Sequence, residues 1–231
     1  MSKVGIVGDL HLPFTHPLYL DFCQDVFEAW DVDTVHLIGD VIDHHALGFW
    51  EHDPDGESAS DEATRAHDGL RDWVKAFPAA RVSIGNHDER HYRRAKRDGM
   101  PARYLRTYAD VWDTPGWTWE NSTVIDGVLY EHGTGTSGKG AAINRALAKR
   151  NSLVMGHTHT HAGVTWHANE FNRIFGLQVG CGIDLTGYAF HYSKPWPIRP
   201  IMGCGIVTDG DMAVFEVMPC GAGEQYHRSH S

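Results

Sequence analysis

Val4-Gly5-Ile6-Val7-Gly8-Asp9-Leu10-His11 is the stretch on which the fold turns. Val4–Val7 is mostly β-branched and reads as a short buried strand. Gly-Asp-x-His follows at once. The same arrangement returns four times further along: Gly39-Asp40-Val41-Ile42-Asp43, Gly85-Asn86-His87-Asp88, Glu131-His132-Gly133 and Gly156-His157-Thr158-His159, each just past a strand-like apolar run. Ligands of α/β sheets gather outside the carboxyl ends of strands, so five such junctions can deliver polar side chains to one place. The glycines are expected to permit a sharp exit from each strand. Asp9/His11 and His157/His159 are i, i+2 pairs, which extended backbone would send to one side.

Outward from these junctions the chain alternates strand and helix. Leu18–Trp30 reads as a helix with Leu18, Phe22, Val26 and Trp30 on one face, Thr34–Ile38 as a strand, and Ala63–Phe77 as a helix stopped by Pro78. Arg81–Ile84 is the next strand, and Glu89–Arg106 reads as a helix broken at Gly99-Met100-Pro101. Residues 44–60 are polar, punctuated by Gly and Pro, and read as a long loop or small insertion. The second half is strand-rich: Ser122–Tyr130, Ser152–Met155, Gly163–His167, Arg173–Val179, Ile201–Thr208 and Met212–Val217, with one helix at Ala141–Arg150. Alternation followed by a strand-rich half predicts an α/β protein of two packed sheets with helices outside.

Bulk composition bounds the function class. The chain has 231 residues, 42% of them hydrophobic, which suits one domain, placed at 1–220 with 221–231 as a flexible tail. Cys23, Cys181, Cys204 and Cys220 form no C-x-x-C pair and read as reduced thiols of a cytoplasmic protein. The apolar stretch at the start is too short for a signal peptide, and no run reaches the roughly 20 apolar residues of a membrane span. The net charge of −10 supplies no overall basic field for nucleic acid. Part of it belongs to carboxylates that bound cations would offset. Of the seventeen histidines, isolated ones such as His16, His36 and His67 read as surface or hydrogen-bonded residues. Those in the five junctions arrive with carboxylate or amide companions, and oxygen plus imidazole donors suit divalent Mn, Fe, Zn or Ni. A carboxylate shared by two metals holds them roughly 3.5–4 Å apart, the spacing of two-metal phosphoryl chemistry. Asp40 is expected to be that bridge.

The order G-D-x-H, G-D-x-x-D, G-N-H-D, His before Gly, then G-H-x-H resembles the calcineurin-like metallophosphoesterase superfamily over Asp9 to His159. The resemblance implies a four-layer α/β/β/α sandwich of two mixed sheets flanked by helices. It implies two divalent metal ions, manganese foremost with Fe, Zn, Ni or Mg as others. Asp9, His11 and His159 would hold one, Asn86, His132 and His157 the other, and Asp40 both. His87 would act beside the phosphate with Asp43 orienting it. The implied activity is hydrolysis of phosphodiesters, and also of phosphomonoesters, of nucleotides or related small substrates by in-line attack of a hydroxide bridging the metals.

The protein-phosphatase branch reads G-D-x-x-D-R-G, whereas His44 and His45 follow Asp43 here. That departure argues against a phosphoprotein phosphatase and leaves His44, Arg90 and Lys139 as candidates to hold phosphate oxygens. Gly133–Gly140 resembles a P-loop but carries Gly140 where a hydroxyl should follow Lys139, so ATP binding is not expected. The basic run Arg90–Arg106, with Tyr92 and Tyr104 inside it and Tyr108 just beyond, either forms a solvated helix face or contacts a polyanion. It supports the alternative of a manganese-dependent nuclease acting on nucleic acid. A non-catalytic scaffold is disfavoured because every donor of the set is retained.

Overall fold

The computed structural model describes residues 1–48, 56–184 and 199–219; the expected tail, Trp50 and Cys220 lie outside them. Two mixed sheets form the centre. The first holds six strands in the order β11-β10-β1-β2-β3-β4, the second five in the order β5-β6-β7-β9-β8. In chain order they are β1 (Lys3–Val7), β2 (Thr34–Leu37), β3 (Ala80–Ser83), β4 (Trp117–Glu120), β5 (Ser122–Ile125), β6 (Val128–Glu131), β7 (Leu153–Met155), β8 (Ala162–Ala168), β9 (Arg173–Val179), β10 (Gly203–Thr208) and β11 (Met212–Val217). The helices are α1 (Tyr19–Ala29), α2 (Ala59–Ala76), α3 (Arg90–Arg97), α4 (Tyr108–Trp112) and α5 (Ala141–Lys149).

Period-two alternation in β1 builds two cores at once. Val4 and Ile6 pack with Tyr130, Val154, Phe175 and Leu177 between the sheets. Val7 turns the other way and joins Phe22, Phe27, Leu70 and Trp73 of α1 and α2. Ala141, Ala142 and Ala146 of α5 cover the outer face of the second sheet over Leu153 and Met155. The result is the expected α/β/β/α sandwich. Each large side chain buried this way stabilises the fold by roughly 1.5–3 kcal/mol.

β1, β2, β3 and β4 run parallel, as do β6, β7 and β9, so the polar junctions after β1, β2, β3, β6 and β7 lie at strand carboxyl ends. Two sequence expectations change. Ser122–Tyr130 is not one strand but the hairpin β5–β6, turned at Asp126 (φ 50°) and Gly127 (φ 76°), the left-handed pair that an Asp-Gly turn favours. The helix expected over Glu89–Arg106 does break before Gly99-Met100-Pro101, ending at Arg97, but beyond the break the chain forms only a 3-10 turn at Ala102–Tyr104 in place of more α-helix. Residues 99–120 supply α4 and the sheet strand β4, and Trp112 and Trp117 are buried in the core with α1 and α2.

Candidate metal centre

The five junctions converge. Ligand atoms of Asp9, His11, Asp40 and His159 lie within 4.8 Å of one another, and so do those of Asp40, His132 and His157. Asp40 is common to both groups. Asn86 joins the second, its Oδ1 3.2 Å from His132 Nε2. All seven sequence-predicted metal residues are therefore brought together. Asp9, His11, Asp40 and His132 are buried, while Asn86, His157 and His159 are half-buried at the rim.

Backbone conformation aims these side chains, and here the sequence argument is corrected. His11, Asp40 and His157 adopt left-handed φ values of 52°, 46° and 67°. The i, i+2 pairs are thus not extended, and His157 and His159 enter different donor groups. Such conformations in non-glycine residues cost of order 1 kcal/mol or more and persist where the surroundings over-determine them. Gly85 and Gly156 serve close approach more than sharp exit. A Cβ on Gly85 would lie 2.2 Å from Asp40 Oδ1, and one on Gly156 2.1 Å from Asp9 Oδ1.

The donor set fits divalent cations. His132 donates Nδ1–H to the Ile38 carbonyl at 3.0 Å, which turns its Nε2 lone pair toward Asp40 Oδ2 (3.1 Å) and Asn86 Oδ1. Acceptors facing acceptors demand a cation or a second ring proton. Burial opposes that proton, yet the Asp40 and Asp9 carboxylates outweigh it and raise the His132 pKa to about 10. Asp9 Oδ1 is buried without a hydrogen-bond partner. Such an atom costs about 1–3 kcal/mol unless something fills its lone pairs. His11 Nε2 lies 3.2 Å from His159 Nε2 and 3.6 Å from Asp40 Oδ2. Burial and the neighbouring His87 lower the His11 pKa, keeping it a neutral donor.

Asp43 does more than orient His87. Its Oδ1 accepts from His11 Nδ1 at 2.5 Å and lies 3.1 Å from His87 Nδ1, and its backbone carbonyl accepts from His87 Nδ1 at 2.8 Å. One carboxylate thus sets both a candidate ligand and the candidate catalytic imidazole, as outer carboxylates do around metals. Burial disfavours its charge, but the His11 and His87 hydrogen bonds hold the carboxyl well below the usual range.

The three candidates for holding phosphate oxygens separate. His44 is buried, its Nδ1 on the His87 carbonyl at 2.9 Å and its ring 5.5 Å from that of Trp112, and burial lowers its pKa to about 4. It supports the loop and does not face outward. Lys139 is exposed in the turn before α5. Arg90 stands against His87 with Nη2 3.0 Å from Nε2. Arg94, one turn on, donates to the Leu47 and Gly48 carbonyls, so the basic run is in part turned inward.

Sequence reasoning passed over two buried acids. Asp88 Oδ1 accepts from Ile42 N (3.0 Å) and Oδ2 from Gly85 N (2.9 Å), tying the second junction to the third. Burial and the Asp40 charge raise its pKa to about 7. Its place in G-N-H-D was the available signal. Glu62 accepts from the amides of His45 (2.6 Å) and Ala46 (2.7 Å). It shares a helical stripe with Ala66, Leu70 and Trp73; a lone acid on an apolar stripe was its signal.

No family model and no curated protein matches the sequence. Among solved structures, an archaeal phosphodiesterase is similar at 15% identity and a TM-score of 0.48, covering 93% of this chain and 99% of that one. A metallophosphoesterase from Sphaerobacter thermophilus has 14% identity and a TM-score of 0.45, covering 94% and 87%. Vacuolar protein sorting 29 from Cryptosporidium parvum has 12% identity and a TM-score of 0.46, covering 93% and 86%.

Proposed function

We propose that this chain is a binuclear metal-dependent phosphoesterase of the calcineurin-like metallophosphoesterase superfamily. It hydrolyses phosphodiesters, and secondarily phosphomonoesters, of nucleotides or related small substrates. The observation that carries the reading is the membership of Asp40 in both donor groups, one with Asp9, His11 and His159, the other with His132 and His157. A two-cation phosphoryl site needs a carboxylate so placed. Bound divalent cations, manganese foremost, would supply an acidified water and offset the charge on phosphoryl oxygens.

The chain's own residues do the remaining work. Asp43 keeps the His87 Nδ1–H engaged, which leaves Nε2 on the side that faces Arg90. With its side chain 17% exposed, His87 is reachable by substrate yet shielded from bulk water. Arg90 and Arg94 are engaged with backbone carbonyls of the 43–48 loop, which removes part of the open basic face a nucleic-acid duplex would use. The small-substrate reading is preferred over the nuclease on that ground.

The test is turnover of bis(4-nitrophenyl) phosphate and a panel of mono-, di- and cyclic phosphoesters and labelled DNA, across Mn²⁺, Zn²⁺, Ni²⁺ and Mg²⁺. Activity that needs the metal and is lost in Asp40→Asn is expected. Full activity of Asp40→Asn, or no turnover of any substrate with any metal, overturns the proposal.

A further inference from the structure

The imidazole presented to substrate is not alone. Arg90 Nη1 donates to the carbonyls of Asp43 (3.0 Å) and His44 (3.1 Å), which fixes the guanidinium plane. Its Nη2 then lies 3.0 Å from His87 Nε2. The guanidinium only donates, so its contact with Nε2 is a hydrogen bond in the neutral His87 whose proton sits on Nδ1 against Asp43. Among the described residues Arg90 makes no ion pair, and its hydrogen bonds end on the neutral acceptors Asp43 O, His44 O and His87 Nε2. A half-buried cation whose hydrogen bonds all end on neutral acceptors, beside a reacting centre, is placed to receive an anion.

We propose, resting on the phosphoesterase reading, that Arg90 is a catalytic residue that binds the departing oxygen of the phosphoester, with His87 as its hydrogen-bond partner. In the reaction the oxygen of water forms the new bond to phosphorus. The bond from phosphorus to the departing oxygen breaks, and its electron pair stays on that oxygen. Arg90 Nη2–H donates a hydrogen bond to that oxygen as charge accumulates. Arginine keeps its own proton, so the proton that completes the alcohol comes, over the whole turnover, from the attacking water. The guanidinium lowers the barrier most where the departing oxygen is most basic, because the charge it must stabilise is then greatest.

The experiment measures kcat/KM for manganese-loaded wild type, Arg90→Ala, Arg90→Lys and His87→Ala on diesters whose departing group runs from 4-nitrophenolate to phenolate to a simple alkoxide. Arg90→Ala should lose less than about tenfold on the 4-nitrophenyl ester and about 10²–10³-fold on the alkyl ester, the usual cost of one lost oxyanion donor. Arg90→Lys should recover part of the alkyl-ester loss, and ethylguanidinium added to Arg90→Ala should rescue the alkyl ester more than the nitrophenyl ester. Equal loss on every ester means that Arg90 only braces the 43–44 loop, and overturns the inference while leaving the phosphoesterase reading intact. An inactive wild type overturns both. Metal content and thermal melting of each variant show whether it folds; should Arg90→Ala fail to fold, the leaving-group dependence of Arg90→Lys decides by the same criterion.

Discussion

Replacing Gly156 by alanine tests how the site is assembled more sharply than deleting a ligand does. The new Cβ would lie 2.1 Å from Asp9 Oδ1 and 2.6 Å from Ile38 Cγ2, and ordinary contact begins at 3.4 Å. The carboxylate would have to retreat by about 1.3 Å. It has little freedom to do so: Asp9 is fully buried, its carbonyl accepts from Gly182 N at 2.8 Å, and Oδ2 accepts from His157 N at 2.9 Å and lies 2.8 Å from His159 Nε2. Metal–ligand distances tolerate about 0.2 Å. Misplacement by roughly 1 Å of a group in the reacting geometry costs about 10²-fold. Overpacking by one methyl in a tight site adds about 1–3 kcal/mol, or roughly 2–12 °C in Tm for a chain of this size. Gly156→Ala should therefore fold, melt several degrees lower, retain fewer metal ions per chain after manganese loading and desalting, and lose about 10²-fold in diester turnover. Gly140→Ala is the control, since the nearest atoms to its Cβ belong to the Asn144 side chain, at 3.3 Å and beyond. Wild-type metal content and turnover in Gly156→Ala would refute the claim that glycine is required here for the close approach of Asp9.

Four further outcomes are expected. Divalent metal at 100 times its Kd should stabilise the fold by about 2.7 kcal/mol, so Tm should rise by roughly 5–11 °C on adding Mn²⁺ and fall back with a chelator; an unchanged Tm counts against a folded cation site. Asp43→Asn should cut activity about 10–100-fold and weaken metal binding as well, because His11 and His87 both lose their anionic partner; loss of turnover with unaltered metal affinity would confine Asp43 to His87. His36 is buried against Ser83 Oγ, and burial lowers its pKa from 6.5 to about 3. The unfolded chain therefore binds the extra proton first: the His36 contribution to stability is full above pH 6.5 and declines by about 1.4 kcal/mol per pH unit below it, down to the folded pKa, and urea titrations of metal-free His36→Leu should show a slope shallower by that amount than wild type. Glu62→Ala strips the His45 and Ala46 amides of their acceptor and should cost about 2–4 kcal/mol in denaturant unfolding, with Glu62→Gln recovering part of it.

Much of this protein is legible in short windows of sequence. The β-branched runs before Asp9, Asp40, Asn86 and His157 mark strands because local conformation and burial act over four or five residues. The polar residue types that follow announce divalent-cation chemistry wherever they end up. The α/β/β/α layering likewise follows from the order of those runs. Longer-range facts were hidden. An alternating pattern continues through Asp126-Gly127, which masked the hairpin, and Trp117-Thr118-Trp119 gave no reason to expect a strand until Ala80–Ser83 stood beside it. The arginines of α3 look like an exposed basic face until the carbonyls of residues 43–48 are in place to receive them. That Asp9 meets His157 and His159 was decided by the packing of one sheet on the other, and that His11 meets Asp43 by the parallel pairing of β1 with β2. A contact spanning 148 residues depends on how two sheets stack, and no local preference of the chain encodes the left-handed turns and Cβ-free approaches that this stacking imposes.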